Sequence, residues 1–223
     1  MDFMKWISSL DELLYEVISW LVFLPLTLWR TFIHPLEMMD YADRQLGLPE
    51  AEQYTDALSP PLFLALSLAL AHGVATAAGD VDRLIANQHG LAKMITDDAS
   101  ALVFRLLVFA MFPLMMSVQF VRIRGLALDR CTLRLPFYAQ CYPASLFALG
   151  LGFGTILVGL PEDRAHIAGL LLILIAVVYY LAVETRWFAA QMGRGKVRAF
   201  GSAIRGFVDA FGLLLVIGFL FTR

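Results

Sequence analysis

The sequence predicts an all-α fold, a polytopic membrane helical bundle of five transmembrane helices plus an N-terminal amphipathic helix that is interfacial or re-entrant. Composition is the first observation behind this. Of 223 residues, 60% are hydrophobic and 16% charged, with a mean hydropathy of +0.73, whereas soluble domains average about 45–50% apolar and about 25% charged. The second is spacing. The apolar residues gather into segments close to the roughly 20 residues that a helix needs to cross a hydrocarbon core of about 30 Å, and only helices or closed barrels satisfy every backbone polar group in lipid. The intervals between segments leave no room for a soluble domain of ordinary size, so one membrane domain is expected.

Residues 1–36 form the first element. Polar residues recur at Asp2, Lys5, Ser9, Glu12, Glu16 and Ser19, a spacing that draws one polar stripe down a helix. Phe3, Met4, Trp6, Ile7, Leu10, Leu13, Leu14, Val17 and Ile18 occupy the other faces. Such a helix is expected to lie in the interface with its stripe toward water. From Trp20 to Trp29 the stripe vanishes, Pro25 removes a backbone donor, and Arg30 and His34-Pro35 return the chain to polar surroundings. Nine helical steps between the two tryptophans rise only about 14 Å, roughly half the core. The expectation is a helix dipping into one leaflet; a sixth span over Leu13–Trp29 is the opposing reading. Acidic flanks and the lack of a small-residue cleavage site argue against a cleavable signal peptide.

Residues 37–56 are the most polar stretch on the cytoplasmic side, expected as a short helix and a linker around Gly47 and Pro49. The membrane domain then covers 57–223, with spans expected at 57–79, 99–121, 135–160, 165–186 and 206–222. Ala57–Gly79 runs 23 residues without Asp, Glu, Lys or Arg, Leu135–Leu160 runs 26 and Ala165–Val183 runs 19. The second span carries Arg105 near one end and the fifth contains Asp209, placements open to side chains that reach the interface or face protein. Asp56 or Ser59 is expected to cap the first span, with Pro60 and Pro61 in its first turn. Ala65, Ala69, Gly73 and Ala77 form a small-residue stripe there, and Gly150-x-x-x-Gly154 lies in the third span. Both suit close helix packing, either inside the bundle or between subunits. Between the first two spans, Val81, Leu84, Ile85, Leu91, Met94 and Ile95 sit at helix-like intervals, so part of that loop is expected on the outer surface.

Cytoplasmic loops are enriched in Lys and Arg. With the N-terminus inside, that side holds twelve of the 17 cations and the other side five, together with the acidic pairs Asp80/Asp82, Asp97/Asp98 and Glu162/Asp163. The expected protein is multi-pass in a bacterial inner (cytoplasmic) membrane, with its N-terminus cytoplasmic and its C-terminus extracytoplasmic.

Ionisable groups within spans are costly and therefore mark candidate sites. His72, Arg105 and His166 fall on the outer side and could form a pocket for an anion or a proton relay, or else snorkel outward and bond to backbone. At the cytoplasmic end, Gln119, Tyr138, Gln140, Tyr142, Tyr179, Tyr180, Glu184, Arg186 and Asp209 are the second set. Convergence would give a ligand site with Glu184 and Asp209 as a carboxylate pair and Arg186 or Arg205 as counter-charges, while the alternative is an interfacial belt of tyrosine and arginine. HExxH, GxSxG and P-loop patterns and a glycine-rich dinucleotide turn are absent, so no catalytic residue and no cofactor are expected. Cys131 and Cys141 lack the spacing of zinc or redox sites, so no metal is expected. The net charge of −2 and the lack of basic-aromatic clusters exclude nucleic acid as a partner.

Three stretches carry a family resemblance. Ala57-Leu-Ser-Pro-Pro-Leu-Phe63 enters a span through proline, Phe137-Tyr-Ala-Gln-Cys-Tyr-Pro-Ala144 through aromatics and then proline, and Trp187 to Ala199 contains Gly193-Arg-Gly-Lys196. Over 57–221 these resemble the Yip1-like family of small five-helix membrane proteins, whose bacterial members are often labelled permeases. The resemblance implies a five-helix bundle that associates with lipids or other membrane proteins. Eukaryotic members carry a longer polar tail that binds trafficking partners; the apolar start of this chain does not match it, so such binding is not implied. The function expected is that of a non-enzymatic bundle packing with membrane lipids, with itself as a homo-oligomer, or with a membrane-protein complex. The alternative is a small oligomeric transporter or channel for an ion or small solute.

Overall fold

A computed structural model describes residues 2–79, 95, 97–193 and 195–222, and every regular element among them is helical. In chain order these are α1 (Asp2–Ile33), α2 (Pro35–Leu46), a single 3-10 turn (Glu50–Glu52), α3 (Pro60–Ala77), α4 (Asp98–Ile123), α5 (Arg130–Gly159), α6 (Asp163–Met192) and α7 (Lys196–Thr222). Six segments are long and apolar enough to cross a membrane: Leu14–Ile33 of α1, and α3 to α7. The protein is thus a multi-pass integral membrane helical bundle. The surface helix expected between the first two spans falls mostly on residues outside those described; of its six apolar residues only Ile95 is described, and it is buried.

Local signals fix where the helices start and stop. Asp97 and Asp129 each accept a hydrogen bond from the backbone N–H three residues on, at 2.7 and 2.8 Å, and the Ser100 and Thr132 side chains accept from the cap backbone in return. These are the reciprocal capping boxes that open α4 and α5. Helix α3 starts at Pro60 behind Ser59, as its prolines require, but neither expected side chain caps it: Ser59 makes no cap bond, and Asp56 is engaged elsewhere. Gly193 ends α6 in the left-handed region at φ +57. A residue with a Cβ is strained there, and the glycine permits the sharp reversal into α7.

Helix α5 is the hub, packed against α2, α3, α4 and α6, while α7 closes the bundle against α4 and α6. Close approach depends on its glycines. A Cβ on Gly150 would stand 2.5 Å from the Ala176 Cβ, one on Gly152 2.7 Å from the Ala71 Cβ, and one on Gly169 of α6 2.6 Å from the Gly154 carbonyl oxygen. The Gly150-x-x-x-Gly154 pair therefore packs inside the bundle. The α3 stripe does not match it, because Gly73 and Ala77 are exposed and a Cβ on Gly73 would meet nothing. The packed face of α3 is instead Ser67, Leu68 and Ala71.

Where α4, α5, α6 and α7 meet, each contributes one aromatic ring. Phe147 stacks on Tyr180 at 4.9 Å between centroids, and Phe112 meets Phe147 at 5.1 Å and Phe207 at 5.6 Å. This quartet marks a common level within the bundle.

The N-terminal region consists of α1 and the short helix expected before the linker, α2. Helix α1 continues through Pro25 without interruption. Helix α2 is not merely part of a linker, because Met38, Met39 and Ala42 are buried against the core. The contacts of α1 gather at the bundle end that carries Arg134. Tyr15, Glu16 and Trp20 share a groove with Glu50, Arg134 and Tyr138, Thr27 Oγ1 accepts from the Leu58 N–H at 3.1 Å, and the Phe32 carbonyl accepts from the Tyr179 hydroxyl at 2.8 Å. Tyr179 adjoins Tyr180 of the quartet. Helix α1 therefore enters from the basic end and stops level with mid-bundle, and α2 turns back from there.

Candidate functional site

The structure separates the residues expected to converge. Glu184 and Tyr180 lie one turn apart on the inner face of α6 and are fully buried. Tyr142 is also buried, but its hydroxyl is spent on the Leu58 carbonyl at 2.9 Å. Gln119 is buried on α4. Arg186, by contrast, is exposed on α6, and Asp209 is exposed on α7. No carboxylate pair forms: Glu184 faces the core and Asp209 faces away from it.

What stands beside Glu184 is Gln140 of α5. Both carboxylate oxygens, both Gln140 amide atoms, the Tyr180 hydroxyl and the Trp187 Nε1 are buried with no hydrogen-bond partner within 3.5 Å among the described residues, although Gln140 stands near enough to act on Glu184 as a long, weak hydrogen-bond donor. Trp187 continues the same α6 face and packs on Phe120 at 4.7 Å. Buried polar atoms are nearly always paired, so a group of them unpaired at one place is a candidate site for a proton, a water or a small polar ligand. Gln140 and Glu184 were legible in the sequence as polar residues at span ends. Trp187 was legible only as the start of the third stretch that carries the family resemblance.

At the opposite end the outer set is partly assembled. Arg105 Nη1 donates to His72 Nδ1 at 2.9 Å, and His72 Nε2 lies 3.5 Å from Asp98 Oδ1. The third expected member, His166, is elsewhere, with Nδ1 donating to the Val158 carbonyl at 3.1 Å. Asp98 takes its place, a residue that the sequence offered only as one of an acidic pair. Next to Arg105 an apolar cavity of about 290 Å³ opens between α3, α4 and α5, lined by Leu68, Phe109, Leu151 and Thr155.

A third arrangement was not anticipated. Asp56, just before α3, receives the Tyr41 hydroxyl of α2 at 2.5 Å and Arg30 Nη1 of α1 at 3.0 Å, and the same Nη1 reaches the Asp56 carbonyl at 3.1 Å. The Tyr41 hydrogen bond, followed by those from Arg30, holds the Asp56 carboxyl below its ordinary range against the opposing effect of partial burial. One side chain thus joins three helices. On α2, burial and then the nearby Asp40 charge push Asp43 up to about 6.

On α7, Asp209 lies two residues beyond the quartet's Phe207, about 20 Å along the helix from Lys196. Arg205 is exposed one turn earlier. Neither has an ion-pair partner within 4.0 Å among the described residues. Gly201 and Gly212 fall on the same outward face, and a Cβ on either would meet open space. Chemically, the described residues offer a sealed polar group, a His–Arg–Asp cluster at the other end of the bundle and one exposed charged face on α7. The chain matches no protein-family model, no curated protein and no solved structure.

Proposed function

We propose that this protein is a non-enzymatic membrane bundle that works by association, first of all with a second copy of itself through the outward face of α7. The observation that carries this reading is the exposed Asp209 at the level of the buried quartet. A carboxylate facing hydrocarbon there costs about 2.5–3.5 kcal/mol even on lenient insertion scales. A parallel two-fold pairing of α7 helices brings Arg205 of each copy within reach of Asp209 of the other, twice over, with Gly201 and Gly212 allowing close approach. In this reading α1 dips into one leaflet, five helices cross, the N-terminus is cytoplasmic in a bacterial inner membrane, and the affiliation is Yip1-like.

The test is cysteine cross-linking in native membranes with Val216→Cys in a Cys131→Ser background. A dimer band is expected, which Asp209→Asn weakens and the swap Arg205→Asp with Asp209→Arg restores. A wild type that stays monomeric overturns the proposal.

A second reading has its own support. The buried Glu184 and Gln140, without a hydrogen-bond partner within 3.5 Å among the described residues, favour a small transporter that carries a proton or a solute past them. Liposome flux abolished by Glu184→Gln, with cross-linking unaffected, would put this reading first.

A further inference from the structure

Beside the buried face of α6, on the side turned to lipid, a groove of about 570 Å³ opens between α6 and α7. That volume lies within the range of about 300–1,000 Å³ usual for small-ligand sites. Its walls are Val178, Leu181, Ala182 and Ala189 of α6 and Phe200 of α7, with Arg186 and Lys196 at one end. From Val178 to Ala189 it follows α6 for about 16 Å. An apolar trough of this length, open to the bilayer, suits one acyl chain.

The two cations decide what the chain must be attached to. Arg186 and Lys196 are exposed, and no carboxylate lies within 4.0 Å of either among the described residues. The groove has no acidic residue among its lining. Lys196 is also the first residue of α7, a helix of 27 residues, so the positive dipole end of that helix lies at the same end of the groove. Just beyond it, Gly195, Lys196, Val197 and Arg198 border a second concavity, which adds another positive charge and again no negative one. Three cations without a carboxylate complement a headgroup of net negative charge. A zwitterionic headgroup would bring its own cation into this positive field.

We infer that the α6–α7 groove is a binding site for an anionic glycerophospholipid, its acyl chain lying along Leu181 and Phe200 and its phosphate held by Arg186, Lys196 and the start of α7. This deepens the association proposed above by naming a lipid class, and it rests on that reading only in placing the bundle in a bilayer. The groove and the Asp209 face lie on different sides of α7, so the two proposals can fail separately.

The test is native mass spectrometry of the full-length protein in detergent with added phosphatidylglycerol, phosphatidylcholine or inorganic phosphate. Wild type is expected to retain phosphatidylglycerol over phosphatidylcholine by about thirtyfold, the scale of attraction that two surface cations at about 1 kcal/mol each confer. Arg186→Ala with Lys196→Ala is expected to abolish that preference. Arg122→Ala with Arg130→Ala, an equal loss of charge at the same end, should leave it intact. Ala182→Trp keeps every charge and fills the groove, and it is expected to lower phosphatidylglycerol retention at least threefold; it also serves if the double variant fails to fold. Equal retention of the two lipids, an equal effect of the control pair, no effect of Ala182→Trp, or displacement of the lipid by inorganic phosphate would each overturn the inference. The cross-linking of Val216→Cys reports on the dimer independently.

Discussion

The Tyr41 hydroxyl and Arg30 Nη1 grip opposite oxygens of the Asp56 carboxylate, at 2.5 and 3.0 Å, and so tie α2 and α1 to the entrance of α3. The carboxyl is held below its ordinary range when the three helices are docked. Its contribution is therefore complete above the undocked value of about 3.9 and is lost as pH falls through the lowered one. The labelling rate of a Leu28→Cys thiol in a Cys131→Ser background, divided at each pH by that of the same thiol in the unfolded protein to remove the thiolate's own pH dependence, is expected to be low and flat from pH 8 to about 5 and to rise below about 4. Asp56→Asn should show the fast rate at every pH, for a loss of about 1 kcal/mol, since the pair is partly solvated.

Asp43 works in the opposite sense. Burial raises it to about 6, so its neutral form is the one the packed α2 prefers. The stability it allows is complete below the ordinary carboxyl value and declines as pH rises through 6. Asp43→Asn is expected to raise the melting temperature at pH 8 and to leave it unchanged at pH 4. A melting series over that range, with equal shifts at both ends, would count against the raised value.

Glycine contacts separate into two classes. Gly169→Ala would push a methyl group against the Gly154 carbonyl and the Val158 backbone nitrogen, at 2.6 and 2.8 Å, and backbone cannot swing aside. It is expected to cost about 1–3 kcal/mol. Gly73→Ala faces open space and should stay within about 0.5 kcal/mol of wild type. Thermal unfolding of the two purified variants checks the contrast.

Glu184 is enclosed beside Gln140 with no hydrogen-bond partner within 3.5 Å of either oxygen among the described residues. Glu184→Gln keeps the shape and removes the possibility of charge, so a stability equal to wild type or up to about 3 kcal/mol higher is expected. Glu184→Lys, which adds bulk and a fixed cation at the same place, should fail to accumulate in membranes.

Much of the fold was legible because hydrophobic run length carries it. The five expected spans lie within or closely overlap α3 to α7, whereas Asp97 and Asp129, the caps that start α4 and α5, were not read as caps. Helix faces were less legible. With apolar residues all round, α6 gives no sign in its sequence of which side meets α5 and which meets lipid, so Glu184 and Arg186, two residues apart, could be read as partners although they point in different directions. The stripe through Gly73 failed for the same reason, since four-residue spacing states that small residues share a face and not what that face touches. The Arg30–Tyr41–Asp56 junction was illegible because it joins residues up to 26 apart through a turn geometry that no spacing rule encodes. The outer cluster was half legible: His72 and Arg105 were visible as costly charges, whereas Asp98 was visible only as one of an acidic pair.

The hub position of α5 also bears on how the chain is made. Helices α2 and α3 find most of their partner surface on a segment that begins at Arg130. During synthesis, His72 can meet Arg105 and Asp98 as soon as α4 is made, but Ala71 on the packed face of α3 must wait for Gly152 of α5 until the ribosome has released roughly eighty further residues, the stretch that ends α5 at Gly159. A nascent chain stalled near residue 125 is then a natural client for an insertase or membrane chaperone, and one stalled after residue 160 much less so.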